Sequence, residues 1–195
     1  MKKITASVVS LSRLLGMLRA LQWMYQTAHW QTQGDQFYGD HLLFERLYAG
    51  LGEEIDGLAE KLVAMAGPET VNPGPQGAHL ASFIQEWQGW GGSPFFIGLK
   101  AEQNLQEAIK GLLSDPSLST GMENFLQGLA DTHETNIYLL LQRASPSRVA
   151  RATLRMRALV MHPSADLQGL APFRSPARAQ QDGRIGCAHA HVRHR

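Results

Sequence analysis

The sequence has a single cysteine and no long uncharged apolar run. That cysteine, Cys187, cannot form an intrachain disulfide, and it predicts a reducing, cytoplasmic setting. No stretch reaches the roughly eighteen uncharged apolar residues that span a bilayer, so we expect no membrane helix. The first residues imitate the start of a signal peptide, but Arg13 and Arg19 interrupt the apolar run and no small-residue cleavage site follows. We therefore expect no signal peptide.

The strict alternation of apolar and polar residues that marks a half-buried strand is also missing. The chain is 44% hydrophobic but only 8% aromatic, which fits a helical bundle. Apolar residues at helical spacing predict four long helices, with a short helix in the second connection. The expected ranges are about 10–32, 41–67, 79–90 (the short helix), 96–114 and 120–143. On the first helix the expected buried stripe is Leu11, Leu14, Leu18, Leu21, Tyr25 and Ala28.

Local signals place the ends of these helices. Asp40 is expected to cap the amino end of the second helix, and Thr120 with Glu123 has the spacing of a capping box for the fourth. Prolines and glycines over 67–77 predict a loop. After residue 143 the composition changes, so we predict a helical domain over 1–143 and a basic tail over 144–195.

Two pairs of potential metal ligands lie on the second predicted helix. His41 and Glu45 are four residues apart, and so are Asp56 and Glu60, so each pair shares one helix face. The eleven residues from Glu45 to Asp56 make about three whole turns, which puts both pairs on nearly one stripe. At about 1.5 Å of rise per residue the pairs are roughly 22 Å apart, too far to share one ion. His29, near the end of the first helix, is a fifth candidate ligand.

A second copy of the same helix would bring the two pairs together. A two-fold axis near Gly50 and Gly52 would lay the His41 pair of one chain against the Asp56 pair of the other. Each glycine costs a helix about 1 kcal/mol relative to alanine, so two of them near the axis suggest close backbone approach. Imidazole and carboxylate ligands suit iron, zinc or manganese, and the residues alone do not choose among these metals.

This set of ligands resembles the ferroxidase signature of the Dps miniferritins, the DNA-binding proteins from starved cells. The residues that carry the resemblance include His29-Trp30, the turn QGDQF (33–37) and the stretch EEIDGLAE (53–60). It covers roughly residues 8–143. One position departs from the family pattern, because Glu45 stands where the family usually has aspartate, and its carboxylate therefore reaches one methylene further.

The resemblance implies an all-α, ferritin-like four-helix bundle that assembles into a homo-oligomer, a dodecameric shell with tetrahedral symmetry. It also implies a di-iron site at each subunit interface, where hydrogen peroxide or oxygen would oxidise Fe(II). The implied metal-binding and catalytic residues are His29, His41 and Glu45 from one subunit, with Asp56 and Glu60 from its two-fold partner. Storage of the ferric product as mineral would protect DNA from oxidative damage.

Plainer interpretations of single residues stay open. A lone histidine such as His29 is more often packed or surface-exposed than a ligand, and the acidic residues of the second helix could form a solvated face. For Trp30, packing in the core or an interface competes with a redox-active role beside the site. We interpret His133 and Glu134 as structural, because the chain lacks the Glu-x-x-His repeat that larger ferritins use within one subunit.

Charge is distributed unevenly along the chain. Residues 144–195 hold nine arginines, no lysine and two acids, a net charge of +7, whereas residues 1–143 carry a net charge of −6. Such a tail attracts the phosphate backbone of DNA whatever the base sequence. Beyond Pro163 its composition predicts disorder. Two alternatives compete with DNA binding: a solvated appendage without a partner, and an extension read out of frame.

Together these features predict an iron-storing and detoxifying cage with ferroxidase activity. The alternative is a nucleoid-associated structural protein that coats DNA and has weak or no ferroxidase activity. Saturable turnover of Fe(II) is required by the first function and not by the second.

Overall fold

The computed structural model describes residues 6–144, and every regular element in that range is a helix. A 3-10 turn, Pro68–Val71, follows the third helix. The α-helices in chain order are α1 (Ala6–Gln31), α2 (Phe37–Ala49), α3 (Leu51–Ala66), α4 (Pro73–Gly89), α5 (Pro94–Leu113) and α6 (Thr120–Ala144). α2 and α3 follow one another and together correspond to the second predicted long helix. The order of the helices therefore confirms the predicted all-α bundle with an extra helix, α4, in the second connection. The predicted tail lies outside the described residues.

The first helix, α1, lies at the centre of the packing. It contacts α2, α3, α4 and α5, while α6 packs chiefly along α5. All six positions of the stripe predicted for α1, from Leu11 to Ala28, are buried. Burial of one leucine side chain contributes about 1.5–3 kcal/mol, so this stripe is a major source of stability. No helix within residues 6–144 is long and apolar enough to cross a membrane.

The second predicted helix is interrupted in the structure. α2 ends at Ala49 and α3 begins at Leu51, with Gly50 between them in the helical region of backbone angles. Two glycines, Gly50 and Gly52, leave the backbone here without side chains that would stiffen it, which explains the position of the interruption. The prediction of one continuous helix was therefore wrong at this point.

Both predicted caps are also wrong. α2 begins one turn before Asp40, whose carboxylate instead accepts hydrogen bonds from Arg143, at 2.5 Å from Nε and 2.8 Å from Nη2. A two-pronged bond to a guanidinium is stronger than a cap bond to a neutral amide. At α6 the capping residue is Ser119 rather than Thr120, since the Ser119 hydroxyl accepts a hydrogen bond from the Met122 amide at 3.3 Å.

The proline-rich segment after α3 is helical rather than a loop. Pro68 begins the 3-10 turn and Pro73 begins α4, which therefore starts six residues before the predicted short helix at 79. Proline suits the first turn of a helix, because its φ angle is already helical and its missing N–H has no partner there. Prolines that predicted a loop thus mark helix starts.

Gly16 allows α1 and α4 to approach closely, and its substitution tests this contact. A Cβ atom at Gly16 would lie only 2.5 Å from the Cβ of His79. We expect Gly16→Ala to destabilise the fold by about 1–3 kcal/mol through overpacking, seen as a lower thermal midpoint in circular dichroism. Gly128→Ala is the control, because a Cβ there meets nothing within 4 Å and alanine favours a helix by up to about 1 kcal/mol. Equal midpoints for the two variants would contradict the close approach.

Candidate metal centre

The end of α1 and the start of α2 form a helical hairpin that brings two histidines together. The chain reverses at Gly34, whose φ of 88° suits glycine, and the Phe37 amide donates to the Gly34 carbonyl at 2.9 Å. The rings of His29 and His41 stack across this hairpin, with centroids 3.6 Å apart and planes 23° apart. Two of the predicted ligands therefore form a pair within one chain.

Each histidine is held by the backbone of the other. Nδ1 of His29 lies 2.9 Å from the carbonyl oxygen of His41, and Nδ1 of His41 lies 3.1 Å from the carbonyl oxygen of His29. A carbonyl oxygen only accepts, so each Nδ1 donates a proton, and each neutral ring keeps a lone pair on Nε2. A histidine that binds a metal through Nε2 needs this tautomer, and metal sites commonly fix it by such a bond from the other ring nitrogen.

Aromatic rings limit the movement of the pair. The ring of Phe37 stacks on His41 at 5.1 Å between centroids, and the ring of Tyr48 meets His29 edge-on at 5.4 Å. Both histidines are half-buried. Their imidazoles are thus oriented by two hydrogen bonds and three ring contacts before any ligand arrives.

The three carboxylates of the predicted site do not join this pair in one cluster. Glu45 on α2 and Asp56 and Glu60 on α3 are exposed. Within the described part of the chain, no group of three or more His, Cys, Asp or Glu side chains is arranged to hold a metal ion. One chain therefore brings together two of the five predicted ligands, His29 and His41.

An ion pair anchors the hairpin next to the histidines. Asp40, which directly precedes His41, binds Arg143 near the end of α6, and this hydrogen bond raises the pKa of Arg143. The guanidinium also lies 4.6 Å from the ring centroid of Phe95. The start of α2 is thereby tied to the last turn of α6.

Trp30 is 69% exposed, so its side chain does not pack in the core of the chain. The core-packing interpretation of Trp30 is therefore wrong. An interface role and a redox role both stay consistent with this exposure.

A buried polar network that was not predicted from the sequence lies in the centre of the bundle. Glu102 on α5 and His133 on α6 have no exposed surface. Oε2 of Glu102 lies 2.5 Å from Nδ1 of His133, and Oε1 accepts hydrogen bonds from the Tyr25 hydroxyl at 2.7 Å and from Asn136 Nδ2 at 3.4 Å. Nε2 of His133 lies 3.1 Å from Oε2 of Glu54 on α3. The network joins α1, α3, α5 and α6.

A helical pattern that includes polar residues could have indicated this network. On α6, His133 and Asn136 continue the spacing of the buried residues Leu126 and Leu129. On α5, Glu102 lies three residues before the buried Leu105. A polar residue at an apolar position of a helix must find a partner, so two such helices predict a contact between them.

The carboxylates decide the protonation of His133. Burial by itself would lower the pKa of His133, but hydrogen bonds to Glu102 and Glu54, together with their negative charge, raise that pKa from 6.5 to about 9. At neutral pH His133 is therefore an imidazolium that donates from both nitrogens. Burial first, and then the charge of Glu102, raise the pKa of Tyr25 well above its usual value of 10.0.

The helices form a ferritin-like bundle. A solved structure with a similar fold is Dps92 from Deinococcus radiodurans, with a TM-score of 0.55 and 19% sequence identity over 74% of this chain and 88% of that chain. Another is the Dps protein of Vibrio cholerae O1, described as a member of a broad superfamily of ferritin-like diiron-carboxylate proteins; its TM-score is 0.49, at 19% identity over 71% of this chain and 89% of that chain.

No protein-family model matches the sequence, and no curated protein matches it. The likeness to the Deinococcus protein confirms the ferritin-like fold of Dps proteins that the sequence resemblance implied.

The raised pKa of His133 predicts how stability depends on pH. Protonated His133 stabilises the folded chain fully below pH 6.5, and this contribution is lost as the pH rises through about 9. We expect the thermal midpoint of unfolding to decrease as the pH is raised from 6.5 to about 9. In His133→Asn, which keeps a donor towards Glu102 but does not titrate, this fall should be much smaller. The same slope in both proteins would contradict the assigned charge.

Proposed function

We propose that this protein is a Dps-type miniferritin that binds Fe(II) at its subunit interfaces, oxidises it and stores the ferric product. The observation that carries the proposal is the pair of His29 and His41, whose rings are fixed with both Nε2 lone pairs available. Imidazole together with carboxylate oxygen is a ligand set that suits iron. The ferritin-like fold agrees with this function.

A two-fold partner would supply the other carboxylates. Asp56 and Glu60 lie one helical turn apart on α3 and are exposed in the single chain. Large apolar side chains on α1 and α2 are also exposed, a feature that favours a protein interface. The exposed fractions are 62% for Trp23, 69% for Trp30, 46% for Phe37 and 72% for Tyr38.

The glycines near the proposed axis support the same arrangement. A Cβ atom at Gly50 would meet nothing within 4 Å in the described chain, and one at Gly52 would meet only Nε2 of Gln22, at 3.7 Å. Packing inside the chain therefore does not require either glycine. Close approach of a second α2–α3 segment would explain both, and by resemblance twelve such subunits form the shell.

Each proposed ligand has a part in the reaction. The neutral imidazoles of His29 and His41 and the negative carboxylates bind Fe(II) and stabilise the more highly charged Fe(III) still better, which lowers the cost of electron loss. Two Fe(II) ions give one electron each to hydrogen peroxide, which takes up two protons and leaves as two water molecules. The longer side chain of Glu45 changes the reach of one carboxylate without changing its charge.

Substitution of the ligands tests the site. We expect His41→Ala and Glu60→Ala to slow Fe(II) oxidation by roughly ten-fold or more while the oligomer stays folded, because each removes a direct metal ligand. The rate is measured from the absorbance of the ferric product after peroxide is added. Glu53→Ala is the matched control, since Glu53 is an exposed acid on the same helix outside the ligand set. An equal loss in all three variants would contradict the site.

Mixed oligomers distinguish an intersubunit site from a site within one chain. When His41→Ala and Glu60→Ala subunits pair across a two-fold axis, one of the two sites at that interface keeps all its ligands. Random mixing should therefore restore about a quarter of the wild-type rate. A site within one chain would regain no activity on mixing.

A second candidate function is DNA binding by the arginine-rich residues 144–195, whose net charge is +7. In this proposal the protein coats DNA at the nucleoid in the cytoplasm, and several arginine–phosphate contacts release counterions. Many tails on one shell would add avidity.

Truncation after Arg143 tests the tail while the Arg143–Asp40 ion pair is kept. We expect the truncated protein to lose retardation of duplex DNA in gels and to oxidise Fe(II) at the wild-type rate. The full chain should lose DNA binding steeply as salt increases. Undiminished DNA binding by the truncated protein would exclude the tail.

A further inference from the structure

The start of α2 has few local restraints. Residues 33–39 are exposed, and Gln36, at the amino end of the helix, makes no side-chain cap hydrogen bond. The first N–H groups of a helix lack partners within the helix, so an end without a cap tends to fray. His41 lies in the second turn of α2, where such fraying would reach it.

Asp40 is the first buried residue of α2, at 7% exposure. Its carboxylate accepts hydrogen bonds from Nε and Nη2 of Arg143, at 2.5 and 2.8 Å. A carboxylate near the amino end of one helix and a guanidinium near the carboxyl end of another each interact favourably with the helix dipole. The ion pair therefore joins the start of α2 to the end of α6 with the sign of charge that both dipoles favour.

An aromatic contact holds the next turn of α2 against the same partners. Phe44 follows Asp40 by four residues, so the two side chains share a helix face. The rings of Phe44 and Phe95 stack with centroids 4.8 Å apart, and the guanidinium of Arg143 lies 4.6 Å from the centroid of Phe95. Two successive turns of α2 are thus fixed on the end of α6 and the start of α5.

The hydrogen bonds that set the tautomers of the histidine pair depend on the position of this part of α2. Nδ1 of His29 lies 2.9 Å from the carbonyl oxygen of His41, and Nδ1 of His41 lies 3.1 Å from the carbonyl oxygen of His29. A backbone shift of roughly 1 Å at residue 41 would take both distances out of hydrogen-bond range. Asp40 directly precedes His41, so the ion pair acts on the backbone next to these bonds.

We infer that Arg143 and Asp40 are positioning residues, which hold the start of α2 so that His29 and His41 keep their protons on Nδ1. Arg143 acts through Asp40 and the backbone of α2. Because the Arg143 side chain is 40% exposed, solvent screens the ion pair, and its contribution to global stability is small. The expected effect is therefore local. The inference rests on the proposed function only for its consequence, which is that both Nε2 lone pairs are available to a metal.

Solid-state nitrogen NMR of the metal-free, full-length protein tests this inference. Histidine is isotope-labelled, the protein is measured in mildly alkaline buffer, and His29→Gln and His41→Gln identify the signals of the two rings. We expect both rings of the wild type to carry the proton on Nδ1. In Arg143→Gln, which lacks the charge and the fork, a large part of this signal should move to that of the Nε2–H tautomer, because the bond to the carbonyl oxygen selects the tautomer. Arg143→Lys keeps the charge without the fork and should recover part of the Nδ1–H signal.

The affinity for Zn(II) is the second readout, because zinc binds imidazole and carboxylate without a change of oxidation state. Competition with a chromogenic chelator should show roughly ten-fold weaker binding in Arg143→Gln than in the wild type, as is common when a residue that orients metal ligands is lost. Gly16→Ala is the matched control, since it lowers stability at a contact about 20 Å along α1 from His29. It should leave the tautomers and the zinc affinity unchanged.

The outcomes separate this inference from the proposed function. Tautomers and zinc affinity that persist in Arg143→Gln overturn the inference and leave the proposed function in place. An equal loss of the Nδ1–H signal in Gly16→Ala also overturns the inference, because any loss of stability would then disturb the pair. Wild-type protein that carries the Nδ1 protons but neither binds zinc nor oxidises Fe(II) overturns the proposed function alone, and the tautomers of Arg143→Gln still decide the inference. Should Arg143→Gln not fold, Asp40→Asn, which loses the charge but keeps one acceptor oxygen, should lose part of the Nδ1–H signal, and full retention would overturn the inference.

Discussion

The buried charge of Glu102 constrains how the four long segments of the bundle pack. A carboxylate removed from water is costly unless charged and polar partners surround it. Those partners are Tyr25 of α1 and His133 and Asn136 of α6, and His133 is bonded in turn to Glu54 of α3. Because each partner comes from a different segment or turn, the network favours one rotation of each helix about its axis. The rotation of α1 then determines where His29 points.

Histidine has two opposite roles in this chain, and the acceptor beside each ring decides which. His29 and His41 donate from Nδ1 to neutral carbonyl oxygens, so the lone pair of each neutral ring is on Nε2. His133 lies between two carboxylates, which hold a proton on both nitrogens and leave no lone pair. In the proposed function the half-buried pair binds iron, while the fully buried His133 stabilises charge inside the bundle. Tyr25 lies between the two and is linked to both, through α1 and through Glu102.

Predictions that depend on residues close together in the chain agree with the structure better than predictions at sites where distant residues meet. The buried stripe of α1 was predictable, because the burial of leucines at helical spacing depends on local periodicity. The pair of His29 and His41 was predicted as two ligands, and a short hairpin suffices to join them. The caps at Asp40 and Thr120 were predicted wrongly. Asp40 finds a stronger partner in Arg143, more than a hundred residues away in the chain, and local spacing carries no information on such a contact.

The sequence by itself determined the all-helical composition, the apolar face of α1 and the spacing of the five candidate ligands, since each depends on residues close together in the chain. Only the tertiary structure decided the partners of the buried polar residues, the tautomers of His29 and His41 and the charge of His133. The physical reason is that a hydrogen bond or an ion pair depends on which side chains meet across helices. Helix packing determines which side chains come into contact, and the same apolar pattern is compatible with more than one rotation of a helix about its axis.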